Sequence, residues 1–326
     1  MQTRRIVWTG PGQVALQDGS LADPGAGDVL LETEYSLVSP GTEREWLHDD
    51  TSHAVLGVTF PFTPGYSSVG TILAIGSDVK DWAVGDRVVP LGAPFGAHAA
   101  HQIVPAVTLF KVPENVSSEQ AVMYQLGGTA VHTIRLAELA DGASIGIVGQ
   151  GPIGQIALQA VRALHPNSPT LALDLEPNRV ASALRLGASI ALDPREEGPL
   201  NDALASLGGG VRVAVDLSGS GAGVNAAITI AGGLARVVLS TGMDADLSMP
   251  YGQIFGKGLT LVGAFVGARP MEFGADTGTF LSLLSERRVT VGHLTDAAFS
   301  PDQAPQVYER VLAGDQELGA PLFAWK

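Results

Sequence analysis

The chain has 326 residues, no cysteine, 41 glycines and 20 prolines, which excludes a disulfide framework, a thiolate nucleophile, a Cys-bearing zinc site and an iron–sulfur cluster. With 19 Lys and Arg against 33 Asp and Glu, its formal net charge of −14 repels phosphate backbones and anionic lipid, so nucleic acid and membrane surfaces are excluded as partners. The opening MQTRRIVWTG is too short in apolar residues for a signal peptide, and no apolar run reaches the roughly 18 residues of a membrane span; the expected location is cytoplasmic.

Up to about Pro113 short apolar runs alternate with Gly and Pro: RRIVW, DVLLETEYSLV, SVGTILAIG, GDRVVPLG and HQIVPAVTLFKVP. Runs rich in Val, Ile and Thr, bounded by turn formers, predict strands of a mostly antiparallel β domain. From Ser118 the period lengthens to that of helices, starting with SEQAVMYQLGGTAVHTIRLAELA. From Ala143 a strand-helix unit repeats, as in ASIGIVG before GPIGQIALQAVRALH, TLALDLE before PNRVASALRLGA, and VRVAVDLSG before GAGVNAAITIA; LARVVLSTG and LTLVGAFVG add further strands. Near-continuous apolar strands alternating with helices predict a parallel sheet covered on both faces, a doubly wound α/β domain. The expected division assigns 1–117 and 290–326 to the β-rich domain and 118–289 to the doubly wound one.

Directly after the strand ending at Val148 stands Gly149-Gln150-Gly151-Pro152-Ile153-Gly154, with a helix following at once. This is the GxGxxG spacing in its strand-turn-helix context. The first glycine permits the tight turn, the second lets backbone approach a pyrophosphate, and the third lets helix and strand pack closely. The helix N-terminus adds free N–H groups and positive dipole. Asp174 ends the next strand, where a carboxylate accepts from both ribose hydroxyls and repels a 2′-phosphate, so NAD(H) is the expected cofactor; the alternative role for Asp174 is a helix cap beside Pro177. Arg179 is placed either over the adenine face or toward a 2′-phosphate. Ser218 and Thr241 end parallel strands, where ligands of doubly wound sheets bind, and are expected to flank the nicotinamide.

A β domain, then a Rossmann domain, then a short C-terminal return resembles the medium-chain dehydrogenase/reductase superfamily, the zinc alcohol and polyol dehydrogenases and their zinc-free relatives. The matching stretches are Pro40-Gly41-Thr42-Glu43, Pro64-Gly65-Tyr66-Ser67-Ser68-Val69-Gly70, Val84-Gly85-Asp86-Arg87-Val88, Gly149 to Gly154, Asp216-Leu217-Ser218-Gly219 and Lys257 to Gly263. The resemblance implies a GroES-like catalytic domain beside the Rossmann domain. It also implies catalytic zinc on a Cys, a His and a third Cys, Asp or Glu, but those positions hold Pro40, Tyr66 and about Tyr124, so no metal is expected. His98 and His101, three apart in an extended segment, are expected to point to opposite faces rather than to share a metal.

Thr42 stands where, by the resemblance, a hydroxyl contacts the substrate oxygen. A hydroxyl relays a proton but needs an acceptor behind it, and Glu43, Glu45 and His48 are the candidates, Glu43 first. Tyr66 and Tyr124 either hydrogen-bond the substrate oxygen or fill the space a metal would occupy. The expected activity is zinc-independent, NAD-dependent hydride transfer with a secondary alcohol or ketone: a polyol, sugar, cyclitol or larger biosynthetic intermediate. An enone or quinone reductase and a catalytically silent NAD-binding homologue are the alternatives. LTLVGAFVG, as an apolar edge strand, is expected to join two subunits in a homodimer.

Overall fold

The computed structural model describes residues 1–48, 58–91, 96–240, 246–295, 298–315 and 318–326. Among them β1 (Gln2–Gly10) and β2 (Gln13–Ser20) form an antiparallel hairpin. There follow β3 (Asp28–Leu37), α1 (Pro40–His48), β4 (Ser68–Ile75), β5 (Arg87–Pro90), β6 (His101–Pro105), β7 (Leu109–Lys111), α2 (Ser118–Ala121) and α3 (Tyr124–Leu136). The alternation begins with β8 (Ile145–Val148), α4 (Pro152–Leu164), β9 (Thr170–Leu173), α5 (Pro177–Arg185), β10 (Ile190–Leu192), α6 (Glu197–Ser206) and β11 (Val211–Asp216). It continues through α7 (Gly221–Ile230), β12 (Ala231–Leu239), α8 (Tyr251–Lys257), β13 (Thr260–Gly263) and α9 (Pro270–Ser285); α10 (Ala304–Ala313) and β14 (Leu322–Ala324) end the chain.

The chain divides into two units, Met1–Gln125 with Val291–Lys326, and Leu126–Thr290. The first change of texture in the sequence, at 117/118, precedes the division because residues 118–124 are tied back to the strands. Ser67 Oγ donates to Val122 O at 2.5 Å and Tyr124 Oη to Pro90 O at 2.6 Å.

In the first unit an antiparallel sheet runs β14-β3-β4-β5-β7, with β6 also paired to β3. Along β3 alternate residues turn inward, the period of two that pleating imposes, so Val29 and Leu31 meet Ile72, Val88, Val104 and Leu109 in one core. A second core gathers Ile6, Trp8, Trp46, Leu47, Val307, Tyr308 and Phe323 around α1 and α10.

The second unit is a parallel sheet in the order β10-β9-β8-β11-β12-β13. Every residue of β8 and β9 is buried, as helices on both faces require. The Gly127-Gly128 pair of α3 is a packing device: a Cβ there would lie 2.3 Å from Phe280 and 2.6 Å from Thr277 Oγ1 of α9. Glycine thus admits Phe280, whose full burial contributes about 2 kcal/mol.

Candidate functional site

β8 delivers the chain to the glycine loop at the point where the strand order reverses, the place where doubly wound sheets bind ligands. Gly149 has φ +90°, and a Cβ there would lie 2.7 Å from Leu217 O; a Cβ at Gly154 would lie 1.9 Å from Gly149 O. At Gly151 a Cβ would meet nothing within 4 Å, so the backbone there faces open space. Gly151 is the N-cap of α4 and Pro152 its first residue, leaving the N–H groups of Ile153 and Gly154 without intrahelical acceptors. Open backbone at a helix N-terminus fits the pyrophosphate of a dinucleotide.

Asp174 follows β9. Its Oδ2 accepts from Gln150 N at 2.6 Å and its Oδ1 from Glu176 N at 2.9 Å. The carboxylate therefore both ties the glycine loop to the next strand and steadies the approach to α5. Arg179 Nη1 lies 3.9 Å from Asp174 Oδ2, so its charge is directed at the carboxylate. Ser218 Oγ donates to Asp216 Oδ1 at 2.6 Å, in the turn that Gly149 touches. Thr241 lies outside the described residues.

In the first unit the SPGTE stretch opens α1. Glu43 N donates to Ser39 O at 2.8 Å and Ser39 N to Glu43 Oε1 at 2.9 Å, a reciprocal closure of the helix start. Ser39 Oγ lies 3.4 Å from Thr42 Oγ1, and the Tyr66 hydroxyl hydrogen-bonds to both side chains. Three hydroxyls thus converge at a half-buried position, with the Trp46 ring 6.0 Å from that of Tyr66. Burial pushes the Tyr66 hydroxyl up to about 12; the Ser39 and Thr42 bonds act against this and the Glu43 charge with it. Tyr66 is a hydrogen-bond donor over the whole neutral range.

Tyr124 is different. It is fully buried, its hydroxyl donates to Pro90 O at 2.6 Å and approaches Tyr66 O at 3.2 Å, and burial pushes its ionisation well above the ordinary tyrosine range. Its hydroxyl is spent on backbone, so of the two expected roles it takes the filling one.

The expectation that Glu43 receives the substrate proton is corrected by its surroundings. Glu43 is wholly buried and meets three groups: Ser39 N, Tyr308 Oη at 2.5 Å and His98 Nε2 at 3.2 Å. A carboxylate so enclosed is a structural acceptor, its oxygens taken by a backbone amide, a phenol and an imidazole. His48 sits exposed in the last turn of α1 and Glu45 is exposed on the same helix. His98 and His101 are parted: His98 is buried against Ser36 and Glu43, while His101 lies by Thr3. Among the described residues no group of three or more His, Asp and Glu is placed to hold a metal. Sequence reasoning missed Ser39, Ser36, Tyr308 and Trp325; only the four-residue spacing of Ser39 and Glu43 was a local signal.

The Alcohol dehydrogenase GroES-like domain matches residues 25–114 and the Zinc-binding dehydrogenase family matches residues 152–283. The chain belongs to the medium-chain dehydrogenase/reductase superfamily. It is 25% identical to L-threonine 3-dehydrogenase of Pectobacterium atrosepticum, covering 95% of this chain and 90% of that one. It is 26% identical to a probable D-xylulose reductase A of Aspergillus clavatus, covering 96% and 94%. The structure of an Escherichia coli alcohol dehydrogenase complexed with NADH superimposes with a TM-score of 0.84 at 19% identity, covering 99% of each chain. As a superfamily member the protein is an oxidoreductase of the alcohol-dehydrogenase type. No helix among the described residues is long and apolar enough to cross a membrane.

Proposed function

We propose that this chain is a zinc-independent, NAD(H)-dependent oxidoreductase acting on a secondary alcohol or ketone, of polyol, sugar, cyclitol or larger biosynthetic class. The observation that carries the reading is the Ser39–Thr42–Tyr66 hydroxyl cluster, built where the superfamily pattern calls for metal ligands. The residues do not fit zinc: Pro40 has no donor atom, and the Tyr124 hydroxyl is held by backbone carbonyls. They do fit a dinucleotide, which Gly149, Gly151, Pro152, Ile153, Gly154 and Asp174 would hold, with Arg179 and Ser218 beside them. A bound nicotinamide would supply or accept the hydride. NAD(H) is favoured over NADP(H) because Asp174 presents an anion beside the loop.

In ketone reduction, protonated Tyr66 donates a hydrogen bond to the carbonyl oxygen and Thr42 aligns it. As hydride reaches carbon, the oxygen takes a proton from the cluster, which solvent restores. In alcohol oxidation the hydroxyl proton leaves by the same route. Because the cluster is rich in donors and Glu43 is enclosed, it polarises a carbonyl better than it deprotonates an alcohol. This favours enone reduction as the second reading.

The test is the absorbance of reduced nicotinamide across polyols, cyclitols, ketones and enones, with NADH and NADPH, with and without chelator. Chelator-sensitive turnover would overturn zinc independence. Turnover with NADPH alone would overturn the role of Asp174, and turnover with enones alone would select the second reading. Binding of NADH with no turnover throughout would identify a silent homologue. The proposal extends to a cytoplasmic homodimer joined along β13, an edge strand beside which Tyr251, Phe255 and Phe265 are exposed. Light scattering of a monomer at micromolar concentration would refute the dimer.

A further inference from the structure

We infer that His98 is the positioning residue that sets the spacing of the hydroxyl cluster, an inference that rests on reading that cluster as the substrate-oxygen site. The cluster is assembled from two segments, residues 39–42 at the start of α1 and Tyr66 ahead of β4. His98 touches both. On one side its Nε2 is 3.2 Å from Glu43 Oε2, and Glu43 in turn holds Ser39 N. On the other side its ring presses on Gly65, the residue before Tyr66. A Cβ at Gly65 would lie 2.7 Å from His98 Cδ2 and 2.9 Å from Nε2, and φ there is +87°. Backbone bonds fix the same contact: Ala97 N donates to Gly65 O at 3.1 Å and His98 N to Pro64 O at 3.2 Å.

The proton arrangement follows from the partners. The Trp325 indole only donates, and Ser36 Oγ accepts from it at 2.9 Å. In the tautomer with the ring proton on Nε2, facing Glu43, the Ser36 O–H donates to His98 Nδ1 at 2.7 Å. In that arrangement each of Trp325 Nε1, Ser36 Oγ, the two His98 ring nitrogens and Tyr308 Oη has a partner. The rings of Phe323 and Tyr308, 5.4 and 6.4 Å away, pack edgewise on the imidazole. Turning it would break two buried hydrogen bonds at once. The imidazole is therefore a fixed spacer between Glu43 at the start of α1 and Gly65 ahead of Tyr66.

Two substitutions separate the halves of this device. In His98→Gln the side-chain amide nitrogen reaches toward Glu43, replacing Nε2; in His98→Asn the shorter side chain serves only the Ser36 side. The readouts are NMR of protein carrying carbon-13 tyrosine at Cζ, with Tyr66 assigned through Tyr66→Phe, NADH affinity by fluorescence, and turnover on the best substrate found. For His98→Asn the Tyr66 resonance is expected to move and kcat to fall about 10- to 100-fold, with NADH affinity unchanged. For His98→Gln the resonance stays and most turnover is rescued. Equal effects of both variants on Tyr66, or no effect of either, overturn the inference. If no substrate is turned over, the functional reading fails while the resonance still decides the positioning role. If His98→Asn does not fold, Ser36→Ala, which frees the ring at Nδ1, takes its place and is expected to move the same resonance; an unmoved Tyr66 there overturns the inference.

Discussion

Gly154 in the nucleotide unit and Gly65 in the β-rich unit both leave room that a Cβ would fill, but for different kinds of neighbour. At Gly154 the neighbour is backbone, Gly149 O at 1.9 Å from the Cβ position, within the same loop. At Gly65 it is the His98 ring at 2.7 Å, a side chain from a distant part of the sequence. A loop closed by its own backbone has one solution, and side-chain substitutions around it leave that path alone. A site closed by a side chain can be reset whenever that side chain and its partners change together.

This contrast can be broken by substitution. Gly154→Ala forces the loop itself to move. The expected loss is on the order of 3 kcal/mol of NADH binding, about 100-fold in affinity by fluorescence titration. Tyr66→Phe is expected to cut kcat by about 100-fold while leaving NADH affinity intact, so an equal loss of both would refute separate roles for the two regions. Gly65→Ala, strained by its positive φ and by the ring, is expected to cost about 1–3 kcal/mol in denaturant unfolding. A second change, His98→Ala, should restore part of that loss in a double-mutant cycle; additivity would mean that the ring and Gly65 are not coupled.

Smaller effects sharpen the same division. Asp174→Asn is expected to narrow the preference for NADH over NADPH by about tenfold, or ~1.4 kcal/mol, read from paired titrations. The smallest is a pH effect in the second unit, where Asp276 accepts from His132 Nδ1 at 2.7 Å and Arg135 Nε at 2.9 Å. Burial alone would raise its carboxyl, but the His132 and Arg135 bonds and the Arg135 charge outweigh it and hold the carboxyl below its usual value of 3.8. A depressed folded value means stability that is complete above about 4 and lost as acid protonates the folded carboxyl. Asp276→Asn should flatten that acid limb of the stability profile, and an unchanged limb would remove Asp276 from the account.

The glycine turn before α4 was legible in the sequence because it is a matter of backbone geometry. Three glycines at fixed spacing after a strand, and an acid ending the next strand, specify Gly149, Gly151, Gly154 and Asp174 without reference to anything distant. Thr42 and Tyr66 were candidates only through the superfamily resemblance, and the sequence could not say which tyrosine hydroxyl would be taken up by backbone. That depends on Pro90 O taking the Tyr124 hydroxyl, a contact with no local signal. Glu43 was misread for the same reason. Its neighbours His98 and Tyr308 come from segments far along the chain, and three partners around a buried carboxyl turn a candidate base into a structural tie.

The first unit is not continuous, and this sets an order of events during synthesis. The nucleotide unit, Leu126–Thr290, leaves the ribosome whole before Tyr308 and Trp325 emerge. Until then Glu43 lacks its phenol and Ser36 its indole, the two bonds that the C-terminal segment brings. The Rossmann unit can thus close on itself first, while the buried row through Glu43, His98 and Ser36 is completed only once Tyr308 and Trp325 arrive.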